Sequence, residues 1–227
     1  MEQAQGEKTR KQRIRIHGKS PKFAWLLPLI LLNLAVSGFG DSHPLMRSVS
    51  VWLATATLAL ALYVSEVSRT YFLAVASLVL FMAVAWRSAL VYHGWFEIVV
   101  VASFNVLTAL APVAILRKVK KEVAREGADA EVLLGTLCAY LYIGNWFAVI
   151  YRSMATLADA PFFAQPGADT MMNYIYFSFI TLTTTGYGDL SPAYGPGRML
   201  AAIEAVIGQL YLVSVVAIVV SEYRKRR

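Results

Sequence analysis

The run TLTTTGYGDL, Thr181–Leu190, places four threonines, two glycines, a tyrosine and an aspartate between apolar, aromatic-rich flanks. A soluble turn needs two such residues, and a membrane helix avoids most of them. The apolar stretch before it, Met171–Ile180, is too short to cross a bilayer, whereas the one after it, Arg198–Val220, is long enough. The polar run therefore sits at the bottom of a half-crossing. Irregular backbone is tolerated at that depth only where it lines water or is buried in protein.

The rest of the 227-residue chain agrees with a membrane setting: 58% of it is hydrophobic and 15% charged. Apolar runs predict six membrane helices, at Phe23–Phe39, Ser48–Ser65, Thr70–Trp86, Trp95–Leu116, Val132–Leu157 and Arg198–Val220. The first follows a polar, basic stretch and ends in no small-residue cleavage pattern, so it does not read as a signal peptide. With alternating crossings, seventeen of the 21 lysines and arginines fall on one side of the membrane. The remainder are Arg47, Arg87, Arg152 and Arg198. By the positive-inside rule both termini are cytoplasmic in a multi-pass cell-membrane protein. The net charge of +7 then reads as topology and contact with anionic lipid headgroups, and nucleic acid is not an expected partner. The predicted fold is an all-α integral membrane protein of six helices, with a re-entrant half-crossing helix and a polar return strand between helices five and six.

The composition of the polar run suggests a chemistry. A cation that sheds its hydration water needs replacement oxygens, and backbone carbonyl dipoles can supply them. Aiming successive carbonyls at one axis requires alternate residues in the φ > 0 region, which glycine enters without a Cβ clash. Gly186 and Gly188 stand at alternate positions. One strand cannot enclose an ion, so several copies are expected around an axis.

TTTGYGD resembles the potassium-channel signature T-x-G-Y-G-D, and Tyr176–Gly208 looks like that family's pore module. EAVIGQLY, Glu204–Tyr211, is similar to the inner helix of small prokaryotic members. The resemblance implies a homotetramer whose filter binds K+ through Thr184, Thr185, Gly186, Tyr187 and Gly188, with the Thr184 hydroxyl at the inner end. K+ is the permeant ion, and no other cofactor is implied. Thr181, Thr183, Tyr176 and Asp189 are expected to support the filter, Tyr176 through a phenol bond to Asp189. Gly208 falls at the inner-helix hinge, Gln209 faces the cavity, and Leu212 and Val216 continue toward the gate. For Gly208 the residues alone leave hinge and close helix packing open. This chain departs from the family at Thr185, where valine is commonest. It departs again at Ile180, where some members carry a glutamate, which puts filter inactivation in doubt.

The expected organisation is a basic cytoplasmic N-terminus (1–22), a voltage-sensor-like four-helix bundle (23–116), an amphipathic linker along the inner membrane face (117–130) and the pore domain (131–227). The fourth span carries no lysine or arginine before Arg117, so strong voltage gating is not expected. Val119 and Val123 give the linker its apolar face. Glu204, inside the sixth span, is costly there and functional by default. It is read as a brace behind the filter, as a pH-responsive acid, or as the structural partner of a threonine, a tyrosine or Arg198. Glu66 is read as pairing with Arg69.

Asn33, Asn105 and Asn145 read as interhelical hydrogen bonders, and Trp52, Trp86 and Trp95 as interfacial anchors. Asp159, Asp169 and Asp189 would make an acidic outer mouth. Cys138 reads as an apolar helix residue. His17, His43 and His93 do not cluster, and no phosphate loop or nucleophile–base pair is visible, so an enzyme is not expected. Few residues follow the sixth span. Either lipid, pH, tension or a partner sets gating, or this is a piece of a longer chain. The rival readings are a weakly selective cation channel and a potassium-transporter subunit or non-conducting sensor.

Overall fold

The computed structural model describes residues 22–39, 44–66 and 95–225. The third expected span, Thr70–Trp86, lies outside these residues, as do Arg69 and the three histidines. The described elements are helices: α1 Lys22–Phe39, α2 Pro44–Val64, α3 Trp95–Glu126, α4 Ala130–Ala158, α5 Met171–Leu182 and α6 Gly195–Leu210, then a π-helical segment, Tyr211–Val216, and α7 Ala217–Lys225. Among the described residues there is no strand, only an isolated antiparallel bridge between Phe163 and Pro192. Three stretches are long and apolar enough to cross a membrane: Ala102–Arg125, Ala130–Ala158 and Gly195–Arg224. The apolar parts of α1 and α2 are shorter.

The largest departure from expectation is at the linker. α3 runs unbroken for 32 residues, roughly 48 Å at 1.5 Å per residue, so Arg117–Glu126 prolong the fourth span. Nothing between Leu116 and Arg117 stops a helix, and Val119 extends the buried stripe of Leu107, Ala111 and Ile115 at spacings of four. The chain reverses over Gly127–Asp129, and Asp129 caps α4 by accepting from the Val132 amide at 2.9 Å. So short a turn lays α3 along α4 of the same chain. α1 packs on α4 and α5 as well. The first helices thus pack on the later helices of the same chain, an arrangement that periodicity alone does not reveal.

Lys118 closes one end of this packing. It is only 8% exposed, and its Nζ donates to the Val64 carbonyl at 2.6 Å and to Glu66 Oε1 at 3.1 Å. It also lies 5.5 Å from the centroid of the Phe23 ring, so one cation ties α1, α2 and α3 together. Lys22 approaches the same carboxylate at 3.7 Å. The Lys118 hydrogen bond, then its charge, holds the Glu66 carboxyl below its ordinary range. A folded value below the unfolded one means that the tie stabilises at neutral pH and is lost as the pH falls through the lowered value. Glu66 is largely exposed, so solvent screening limits the contribution to ~1 kcal/mol or less. Glu66→Gln is expected to lower the melting temperature by about 2–4 °C at most. Melting curves in detergent should show that gap closing in acid.

The C-terminal end of α4 is held by aromatic packing. The Phe162 ring meets Tyr151, Phe163, Tyr174, Tyr194 and Phe177 at centroid distances between 4.9 and 6.0 Å. The segment before α5 is zipped to the one after the polar run: Ala164 N donates to Ser191 O at 2.9 Å and Ala193 N to Phe162 O at 2.8 Å. Gln165 Oε1 accepts from Ser191 N at 3.1 Å. Both ends of TLTTTGYGDL are therefore anchored, one by α5 and the other by this zipper.

Candidate functional site

α5 is 12 residues, about 18 Å, too short to span a bilayer. Thr170 caps its start: the Oγ1 accepts from the Asn173 amide at 3.2 Å. Asp169 instead accepts from Phe162 N at 3.0 Å and from the Tyr174 hydroxyl at 2.5 Å. This carboxylate pins the loop to α5.

At its other end α5 unwinds abruptly. Thr184 N donates to Thr181 O at 2.9 Å, and then Thr185 N and Gly186 N both reach the Ile180 carbonyl, at 2.8 and 3.1 Å. In a planar trans peptide the C=O points opposite to the N–H. Two successive amides aimed at one oxygen therefore send the carbonyls of Thr184 and Thr185 to the same side, away from α5. In an ordinary strand successive residues alternate sides. The dihedrals continue the pattern, with φ of +57° at Thr184, +52° at Gly186 and +80° at Gly188. Every second residue is in the left-handed region, the alternation that a row of co-directed carbonyls requires. Glycine made two of these positions legible. Thr184 carries no such mark, because an L-residue adopts that region at a cost of roughly 1–2 kcal/mol.

Side chains hold the strained threonine. Thr184 Oγ1 donates to Thr183 O at 2.7 Å and accepts from Gln209 Nε2 at 2.8 Å, which links the start of the polar run to α6. Thr183 Oγ1 donates to Phe179 O at 2.7 Å and meets the Thr185 hydroxyl at 2.9 Å. The Thr185 hydroxyl is thus bonded within the run. Near the C-terminal end of the run, the Tyr176 hydroxyl donates to Asp189 Oδ2 at 2.8 Å. Residues Thr183–Asp189 are exposed on the single chain.

Gly208 is where α6 meets α5. A Cβ on it would stand 2.0 Å from the Leu182 carbonyl oxygen, which also accepts from the Tyr140 hydroxyl at 3.3 Å. Of the two readings left open for Gly208, this geometry is close packing. The change in helix form begins three residues later, in the π segment. There the Tyr211 hydroxyl donates to Thr136 O on α4 at 2.6 Å, and its ring packs 5.3 Å from Tyr140. Leu212 is exposed and Val216 half-buried.

Glu204 is fully buried. Its carboxyl bonds the Tyr151 hydroxyl of α4 and, at 2.5 Å, the Ser178 hydroxyl of α5. Ser178 in turn lies 2.6 Å from the Gly144 carbonyl. A tyrosine was among the partners considered for Glu204, whereas Ser178 was not singled out. Arg198 goes elsewhere, its Nε donating to Pro192 O at 3.1 Å. Asn105 Nδ2 bridges to Ser153 Oγ of α4 at 2.7 Å. Asn33 is buried, with Oδ1 unpaired among the described residues. Cys138 is buried and free. Among the described residues no group of His, Cys, Asp and Glu is placed to hold a metal ion.

Residues 131–225 match the ion-channel family model, a stretch that begins in α4 and ends with α7. No solved structure matches the chain. The match supports ion-channel activity, and the three helices long and apolar enough to cross a membrane agree with a membrane setting.

Proposed function

We propose that the protein is a potassium-selective channel, which lets K+ pass down its electrochemical gradient through a homotetrameric pore in the cell membrane. The observation that carries this reading is the alternation of left-handed φ at Thr184, Gly186 and Gly188 within TTTGYGD, with the Thr184 and Thr185 carbonyls sent to one side. Four such strands around an axis would stack rings of oxygens that replace the ion's hydration shell. Thr184, Thr185, Gly186, Tyr187 and Gly188 then form the K+ path. Thr181, Thr183, Tyr176 and Asp189 hold its shape, and Gln209 fixes the innermost threonine. Below it, α6, Leu212 and Val216 would line the way to the cytoplasm.

The tetramer is supported by what one chain leaves bare. Met199, Ile203, Val206, Leu210 and Val213 are all exposed, at spacings of four and three that put them on one helix face. The filter strand beside them has no partner on its open side among the described residues. Both termini are taken as cytoplasmic from the distribution of lysine and arginine. Arg117, Lys120, Lys121 and Arg125 are exposed near the end of α3, suited to anionic headgroups.

Passive flux tests the reading. Purified protein in liposomes should carry K+ without an energy source and be blocked by barium. A transporter subunit or non-conducting sensor would show no such flux. Gating should respond weakly to voltage. Each charge moved through the field contributes about 2.3 kcal/mol per 100 mV, and α3 carries no lysine or arginine before Arg117. A nearly flat conductance–voltage curve in planar bilayers is expected. A steep one would mean that gating charge lies elsewhere in the chain.

A further inference from the structure

The hydrogen bonds around Glu204 do not balance for a carboxylate. Ser178 has one hydroxyl proton and stands within 2.6 Å of the Gly144 carbonyl and 2.5 Å of Glu204 Oε1. A carbonyl can only accept, and an ionised carboxylate can only accept. With Glu204 ionised, one of these two short oxygen–oxygen contacts would hold no proton. On the other side, the Tyr151 hydroxyl bonds Glu204 Oε2 and has no further acceptor among the described residues, so its proton lies on the Glu204 bond. The count closes in one way. Tyr151 donates to Oε2, Oε1 carries a proton donated to Ser178, and Ser178 donates to Gly144.

We propose that Glu204 stands as the neutral acid in the folded protein and acts as a positioning residue, its proton completing a relay that pins α5 between α4 and α6. The surroundings agree. Glu204 is fully buried, and no lysine or arginine pairs with it among the described residues, so a charge there would lack compensation. The titratable groups that feel it are phenols of α4, Tyr151 and Tyr140; α5 presents only the Ser178 hydroxyl. The relay joins α5 at Ser178, four residues before the helix ends at Leu182 and gives way to the strained backbone of the polar run. Ionisation would place two acceptors face to face at Ser178 and loosen the seat of α5. The effect on conduction rests on the functional reading above, whereas the protonation does not.

Infrared difference spectroscopy of the purified protein at neutral pH, wild type against Glu204→Gln, decides the protonation. The carbonyl stretch of a protonated carboxylic acid is expected in the wild type and absent from the variant. Carboxylate bands alone would overturn the proposal. Ser178→Ala should shift that stretch, since the proton's acceptor is gone, and an unshifted band would place the proton elsewhere. Glutamine offers an amide donor for Ser178 and an acceptor for Tyr151. Glu204→Gln should therefore keep the tetramer and hold K+ flux within about twofold of wild type at neutral pH. In alkali, wild-type flux should fall at least tenfold as the acid ionises while the variant stays flat. Equal alkaline losses in both proteins, or a variant that fails to assemble, would refute the positioning role. If neither protein conducts at any pH, the channel reading fails and the infrared result still stands.

Discussion

Gly208→Ala is expected to prevent the pore helices from assembling. The new Cβ would lie 2.0 Å from the Leu182 carbonyl oxygen, and backbone cannot rotate away as a side chain can. Overpacking of this kind typically costs about 1–3 kcal/mol per chain and occasionally more, and in the proposed tetramer it would act four times. The same displacement would break the Tyr140 bond to Leu182 and pull Gln209, the next residue, from Thr184. Flux should drop by at least about 10²-fold, at 1.4 kcal/mol per decade, with the tetramer peak lost in size-exclusion chromatography. Gly195→Ala, where a Cβ meets nothing within 4 Å, is the control. A hinge would behave differently: alanine would leave assembly intact and change only how often the channel opens.

Gly186→Ala is the second large effect, and its cause is conformational. Nothing lies within 4 Å of a Cβ built there, but φ is +52°, where an alanine is penalised by roughly 1–2 kcal/mol. Four copies make about 4–8 kcal/mol, more than enough to flatten the alternation. Loss of selective K+ flux by about 10³-fold is expected in liposomes with the tetramer preserved, the opposite signature to Gly208→Ala. Gly188, at φ +80°, should respond in the same way. Wild-type selectivity in Gly186→Ala would mean that the left-handed residues do not shape the ion path.

What was legible in the sequence follows from what leaves a local mark. The short apolar stretch before the polar run is α5, bounded where a threonine could cap it and where the threonines begin. Gly186 and Gly188 advertise their dihedrals because glycine alone enters them freely. Tyr176 and Asp189 could be proposed as a pair because both flank the same run. Contacts between distant segments leave no such mark. Nothing around Lys118 announces that a cation in a charged stretch would be buried against Phe23 and Val64. Nothing in QPGAD tells that Gln165 grips Ser191, and Ser178 looks like any small residue on an aromatic helix. The fourth span ran past its expected end because hydropathy stopped at Leu116 while helical periodicity did not. The π segment is equally silent, since Tyr211–Val216 reads as ordinary apolar helix until Tyr211 is seen reaching for Thr136.

The most direct test is the reversal potential of the purified channel in a planar bilayer with K+ on one side and Na+ on the other. Oxygens spaced to replace the water of K+ predict a potential far toward the K+ equilibrium value, beyond the roughly 59 mV that marks a tenfold preference. A potential near zero would contradict the account and leave a weakly selective cation pore in its place.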